Sequence, residues 1–335
     1  MGLLINGEWK DRWYESDEKG AFKREPSQRR DWITADGGPG PDGQRGVKAE
    51  SGRYHLYVSH ACPWAHRTMI YRVLKGLEPH VGMSVVSWRM LEHGWTFDRE
   101  TGSDGDAVGG HARLYEIYTA DDPRYSGRVT VPVLWDRREG RIVNNESSEI
   151  IRMLDAGFDD ITGSRVVLYP EPLREEIDAL NARIYPSVNN GVYRAGFATS
   201  QEAYEEAFDA VFAELDALDA RLATRRYLTG PFLTEADWRL FTTLVRFDAV
   251  YHGHFKCNLR QVREYPHLSG WLRELYQWPG IADTVHFEHI KRHYYESHPT
   301  INPTGIVPKG PALTLTLPHG REGLEGRGLW TRPTA

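Results

Sequence analysis

The sequence predicts an α/β domain followed by an all-helical domain. Between residues 54 and 154, short β-rich runs alternate with helical periodicity, whereas after Pro170 the apolar pattern is helical. Size agrees. The 335 residues exceed one average domain, and 40% hydrophobic with 26% charged residues suffice for a sizeable core.

Residues 1–50 are polar and read as an irregular extension lying on the first domain. Gly and Pro punctuate Ala35 to Gly43, so this stretch is a loop. Regular structure is expected to begin with a strand at Tyr54–Val58. A turn through Ser59–Trp64 leads into a helix from about Pro63 to Leu77, ended by Gly76 and Pro79. A second strand is expected over Met83–Trp88, then a long polar insertion over 89–127. Strands at Val131–Trp135 and Arg141–Val143 flank the turn Arg138–Gly140, and a helix opens at Glu146–Ser147. The order β-α-β-(insertion)-β-β-α is the thioredoxin-like arrangement.

In the helical part, Thr199–Glu202 reads as a capping box, with Thr199 bonding first-turn amides. An apolar stripe from Tyr204 to Leu222 follows at helical period. Thr234–Asp237 is a second box, flanked by Leu233 and Trp238 at staple positions. The last helices span about 266–293, and from Thr300 a Pro- and Gly-rich tail has little periodicity. The expected divisions are an extension (1–50), a thioredoxin-like domain (51–160), a helical domain (170–300) and a tail (301–335).

Composition excludes some classes. A formal net charge of -6 offers no basic excess for nucleic acid or anionic membrane. Met1 to Ser16 lacks the basic and apolar regions of a secretory leader, and Asn6 stands where a myristoylation signal needs Ser or Thr. No run approaches the roughly 18 apolar residues of a membrane span. Two cysteines, Cys62 and Cys257, exclude a disulfide framework and fit a reducing cytoplasm.

Cys62-Pro63-Trp64-Ala65 lies between a strand and a helix. There, unpaired amides and the helix dipole favour an anion, so a thiol becomes a nucleophile near neutral pH. Ala65 replaces the second cysteine of a C-x-x-C pair, so an oxidised intermediate must use an outside thiol. Pro132 in a strand context is either a strand-edge proline or the proline that faces the active-site turn of thioredoxin-like folds. Glu146-Ser147 is, alone, an ordinary helix cap. With the other two elements it suits the γ-glutamyl end of glutathione, the helix start and Ser147 holding the carboxylate and Glu146 the ammonium.

In this order the three elements resemble the glutathione transferase superfamily, whose helical domain has a box like Thr234-x-x-Asp237. A narrower resemblance spans nearly the whole chain. Cys62 to Arg67, Gly94 to Asp98, Tyr125 to Asp136, Asn145 to Ser147, Asn189 to Tyr193, His293 to Tyr295 and Asn302 to Gly305 are similar to the glutathionyl-hydroquinone reductases, the xi class. The resemblance implies that glutathionyl-hydroquinone plus glutathione gives hydroquinone plus glutathione disulfide. Cys62 would attack the glutathionyl sulfur, and a second glutathione would resolve the mixed disulfide. Trp95 would pack over glutathione, Arg128 would pair with one of its carboxylates, and the Val131 backbone would bond its cysteinyl part. Tyr193 and Tyr294 would bind the hydroquinone oxygens and assist proton transfer. The choice between Tyr294 and Tyr295 stays open. Glutathione is the co-substrate, no metal is expected, and a homodimer is implied.

Cys257 lacks a partner motif and reads as structural. His286, His289 and His293 have helical spacing but no H-E-x-x-H arrangement, so surface or supporting roles are expected. Two rivals stand beside the main reading. One is an omega-like thioltransferase or dehydroascorbate reductase, which needs no paired tyrosines. The other is a non-catalytic glutathione-fold binding protein.

Overall fold

A computed structural model describes residues 2–14 and 17–333. Met1, Glu15 and Ser16 of the extension, and Thr334 and Ala335 of the tail, lie outside the described residues. The chain forms two compact units that interleave in sequence. The first holds residues 2–14, 24–165 and 284–306, and the second holds 17–23, 166–283 and 307–333.

The extension is more regular than its polarity suggests. It contributes β1 (Leu3–Ile5), β2 (Glu8–Lys10), β3 (Trp32–Thr34) and β4 (Gly46–Lys48). Each is three residues long, too short to show a period. Each pair nonetheless buries an apolar residue: Leu4 in the first, Ile33 and Val47 in the second. The loop at 35–43 lies between β3 and β4 as expected.

The first unit is built on β5 (Tyr54–Val58), α1 (Pro63–Leu74) and β6 (Val81–Val85). All five residues of β5 are buried, as in a strand covered on both faces. The second strand lies earlier than its sequence suggests. Val81 pairs with Tyr54, and after Val86 the backbone leaves β5 to bond the insertion, Ser87 N–H to Thr96 O at 2.8 Å. The insertion is ordered too: α2 (Leu114–Asp121) buries Leu114, Ile117 and Tyr118. Next come β7 (Gly127–Arg128), β8 (Val133–Asp136), β9 (Arg141–Asn144), α3 (Ser147–Ala156) and the short α4 (Asp159–Thr162). The sheet order is β6-β5-β8-β9, with β5 and β6 parallel and the other pairs antiparallel. A smaller sheet, β2-β1-β7, ties the extension to the segment carrying Arg128.

The second unit begins with β10 (Val166–Val167), α5 (Arg174–Ile184), α6 (Gly191–Gly196) and α7 (Gln201–Leu222). The cap of α7 is Ser200, whose Oγ accepts from Ala203 N–H at 3.2 Å, and not Thr199. Thr199 is instead drawn to Gly20, donating from both its amide and its hydroxyl to that carbonyl. β11 (Phe232–Leu233), α8 (Glu235–Arg246) and α9 (Leu268–Tyr276) complete the helical core. α10 (Phe287–Ser297) then returns to the first unit. The tail is not wholly irregular: β12 (Gly328–Thr331) inserts between β10 and β11. Among the described residues, no helix is long and apolar enough to cross a membrane.

The box at Thr234 and Asp237 forms as expected. Asp237 also accepts from Leu228 N–H at 2.9 Å and Trp271 Nε1 at 3.0 Å, so one buried carboxylate joins a turn and two helices. Removing it strands several buried donors. Asp237→Ala should cost about 2–4 kcal/mol, read as a lower denaturation midpoint. An unchanged midpoint would contradict this. Burial raises Asp237 to about 6, its donors only partly opposing. A raised folded value favours folding in acid: the contribution is complete below the ordinary 3.8 and lost as pH rises through 6. Asp237→Asn should remove that part of the pH–stability profile.

Candidate active site

The turn after β5 presents Cys62. Cys62 N–H donates to Ser59 O at 3.1 Å, and the residue is extended, with φ -77° and ψ 121°. Its carbonyl accepts from His66 N–H, opening α1, and Pro63 occupies the first turn, where a missing N–H costs nothing. The sulfur stands at a helix start, a position that favours an anion. It is half-buried and directed at Val131 O, 3.7 Å away. The Val131–Pro132 bond is cis. Cys257 is the opposite case: fully buried, its thiol is pushed by burial up to about 12.

α3 starts beside α1. Glu146 caps α3, its carboxylate accepting from Ser148 N–H at 3.1 Å, Ser148 Oγ at 2.8 Å and Ser27 Oγ at 3.1 Å. Burial pushes this carboxyl up, but the donors and nearby Arg67 prevail and hold it below its ordinary value. Ser147 is buried, and Arg67 Nη1 reaches its Oγ at 3.4 Å. Arg67, on α1, also lies over the Trp64 ring at 4.5 Å, with Arg24 at 5.0 Å from the same ring.

Arg128 is engaged by the extension. Its Nη1 donates to Arg12 O at 2.6 Å, Nη2 to Trp13 O at 3.2 Å and Nε to Glu25 Oε1 at 3.1 Å. The guanidinium lies 4.2 Å from the Tyr14 ring centre.

Trp95 is 4% exposed and stacks on His293, centroids 4.8 Å apart. His293 is therefore no surface residue; its Nδ1 meets Trp88 O at 2.8 Å. Tyr294 is buried against His293 and His298, and His298 meets Trp13 at 5.8 Å. Tyr295 is half-buried, and its carbonyl accepts from Asn302 Nδ2. Cys62, Trp95, Arg128, Val131, Glu146, Ser147 and Tyr294 thus all belong to the first unit. Tyr193 belongs to the second, on α6, with Tyr251 at 6.0 Å and Phe255 at 5.4 Å. Sequence reasoning missed Trp13, Tyr14, Ser27 and Arg67. The first three sit in a stretch read as irregular, although adjacent aromatics in a polar segment were a visible cue. Arg67 was seen in its motif without a role. Among the described residues, no three His, Cys, Asp or Glu side chains group as metal ligands.

Fold and site together define a thioredoxin-like thiol enzyme with an appended helical unit. The family described as Glutathione S-transferase, N-terminal domain, matches residues 61–156, and its C-terminal domain family matches 201–274. Glutathionyl-hydroquinone reductase YqjG of Escherichia coli K12 is 56% identical, over 96% of this chain and 99% of its own. Glutathionyl-hydroquinone reductase PcpF of Sphingobium chlorophenolicum is 53% identical, over 94% and 98%. The glutathione-bound structure of YqjG superimposes with a TM-score of 0.89 at 54% identity, over 96% of this chain and 99% of that one. The chain belongs to the glutathione transferase superfamily and, within it, to the xi-class glutathionyl-hydroquinone reductases.

The contrast between the two cysteines is directly measurable. Iodoacetamide should alkylate Cys62 in the native protein and reach Cys257 only after unfolding, as read by peptide mass spectrometry. Equal labelling of both would refute the assigned environments.

Proposed function

We propose that the protein reduces glutathionyl-hydroquinones to hydroquinones at the expense of glutathione, through a Cys62–glutathione mixed disulfide. The observation that carries this is a half-buried thiol at the start of α1, facing the Val131 carbonyl, with Ala65 where an internal resolving cysteine would stand. The Cys62 thiolate attacks the glutathionyl sulfur, and the hydroquinone departs. A second glutathione then attacks the mixed disulfide, releasing glutathione disulfide and restoring the thiolate.

The glutathione that enters is held, in this reading, by the cap of α3. The carboxylate of Glu146 takes the γ-glutamyl ammonium, and Ser147 with the helix start takes the γ-glutamyl carboxylate. The Val131 backbone bonds the cysteinyl part. Arg128 keeps a second N–H on each terminal nitrogen beyond its bonds to Arg12 and Trp13, enough to accept a carboxylate at its rim. Trp95, being buried and stacked, offers an edge contact. Tyr193 and Tyr294 hold the hydroquinone oxygens and relay protons as a keto tautomer forms and collapses. That step separates a carbon–sulfur cleaving enzyme from a general thioltransferase, for which disulfide exchange at Cys62 suffices. The active species is read as a homodimer in the cytoplasm.

Cys62→Ser should abolish turnover while glutathione still binds, and intact mass after one turnover of the native enzyme should show glutathione on Cys62. Persistent turnover in that variant would sink the mechanism. Glu146→Ala should weaken glutathione binding by about 1–3 kcal/mol, the scale of a charge-assisted bond. Calorimetry showing undiminished affinity would remove the proposed subsite. Tyr193→Phe and Tyr294→Phe should slow glutathionyl-hydroquinone reduction on the order of 10²-fold or more, with hydroxyethyl disulfide reduction nearly intact. Parallel losses in both assays would favour a general thioltransferase.

A further inference from the structure

The cap of α3 is shared between two segments far apart in sequence, and the extension supplies part of it. Residues 29–31 run antiparallel to the end of β9. Asp31 N–H donates to Val143 O at 2.9 Å, Asn145 N–H to Arg29 O at 3.1 Å, and Arg29 N–H to Asn145 Oδ1 at 3.1 Å. Asn144 Nδ2 donates to Asp31 O at 3.0 Å. The Arg30 guanidinium holds Glu149, in the first turn of α3, through Nε at 2.6 Å. This register carries Ser27 to the start of α3. Its Oγ lies 3.1 Å from Glu146 Oε2 and 3.1 Å from Asn145 O.

These bonds divide the Glu146 carboxylate in two. Oε1 accepts from Ser148 N–H at 3.1 Å and Ser148 Oγ at 2.8 Å, so the helix start takes that oxygen. Oε2 faces the extension and accepts from Ser27 Oγ. The terminal torsion of a glutamate is broad, so a carboxylate held at one oxygen can swing. A hold on the second oxygen fixes its plane. Each carboxylate oxygen accepts in two directions, so Oε2 keeps one for a cationic ligand. Ser27 and Glu146 are both half-buried, and neither is sealed from solvent. The electrostatics agree. Burial pushes the Glu146 carboxyl up; the Ser148 amide and hydroxyl, Arg67 and the Ser27 hydroxyl pull it down and prevail. Ser27 thus favours the charged form that an ammonium ligand needs.

We propose that Ser27 is a positioning residue for glutathione: its hydroxyl, supplied by the extension, sets the plane of the Glu146 carboxylate that takes the γ-glutamyl ammonium. This rests on the reading of the α3 cap given above. Ser27 acts through Glu146 and away from the reacting sulfur, so its contribution is to binding. Both halves of the cycle bring a γ-glutamyl group to the same carboxylate, first that of the conjugate and then that of the second glutathione. Loss of Ser27 therefore weakens both. A group that binds ground state and transition state equally affects KM and leaves kcat alone. The extension thereby takes part in recognising glutathione, although it lies outside the strands and helices that carry the thiol.

The test uses the full-length enzyme with glutathione and glutathionyl-menadiol. Ser27→Ala should raise KM for each on the order of tenfold, the scale of one bond to a charged group, with kcat within about twofold of the native enzyme. Glu146→Ala should also raise both KM values. Ser27→Ala added to Glu146→Ala should change them by less than about twofold, because the hydroxyl then has no carboxylate to hold. If Glu146→Ala raises KM and Ser27→Ala leaves it at the native value, the proposal is overturned. A fall in kcat as large as the rise in KM overturns it too, because the extension would then act on the chemistry or the fold. So does a Ser27 effect that persists at full size in the Glu146→Ala background. Native KM values in Glu146→Ala remove the γ-glutamyl subsite itself, and this proposal with it.

Discussion

The structure turns on one placement: a thiol on the residue that caps the start of a helix, fed by a central, fully buried strand. A helix start concentrates unpaired amide donors, and these favour an anion over a neutral group. β5 supplies the rigidity, because all of its residues are buried and it is paired on both sides. Pro63 fixes where the helix begins, and the bond from Cys62 N–H to Ser59 O fixes the turn. The Val131 carbonyl closes the arrangement from the neighbouring segment. The second cysteine shows what happens without such a setting. Cys257 has the same chemistry in an apolar interior, where burial keeps it protonated.

A second constraint organises the surroundings of that thiol. α1 and α3 present their starts with Cys62 and Glu146 as the capping residues. Arg67 links them, reaching Ser147 Oγ from α1. A carboxylate at the start of α3 is stabilised by the dipole and by the Ser148 amide, which explains why Glu146 stays ionised despite its burial. The extension then adds Ser27 to that carboxylate and Arg12, Trp13 and Glu25 to Arg128. A segment that looks dispensable by composition is therefore part of the scaffold of the site.

Much of the fold was legible because its long elements have a period. β5, the start of α1 and the start of α3 follow from a short β-rich run, a proline and a cap. What was not legible depended on pairing over long sequence distances. Leu3 opposes Arg128, and Trp330 opposes Val167, contacts that strands of two to four residues cannot announce. The cap at Ser200 was misassigned to Thr199 because both residues have the right chemistry; the choice was made by Gly20, 179 residues away from Thr199. The structure gathers Cys62, Trp95, Arg128, Val131, Glu146, Ser147 and Tyr294 in one unit, although the sequence divisions assign Tyr294 to the helical domain, and it puts Tyr193 in the other. The residues that hold them in place, Arg67 and the Trp13–Tyr14 segment, have no periodic signature and emerge only when distances are known.

The absence of a second cysteine at Ala65 has a consequence for what the protein must recognise. A dithiol enzyme can discard its oxidised state by closing an internal disulfide, and it needs only a generic reductant. A single thiol at position 62 leaves a mixed disulfide whose resolution requires an external thiol. A site of this kind must therefore bind the same tripeptide thiol in two situations, once as the half of a conjugate that stays on Cys62 and once as an attacker. The fixed features near Cys62, the cap of α3 and the Val131 carbonyl, are suited to holding the sulfur-bearing peptide that stays. The aromatic residues around Trp13, Tyr14, His298 and Tyr294 form a separate chain of ring contacts. Their flat, weakly polar faces suit a ring that arrives and departs in each cycle. Arg128, bonded to the backbone of Arg12 and Trp13 and lying over the Tyr14 ring, joins that chain of rings to the segment that leads into Val131.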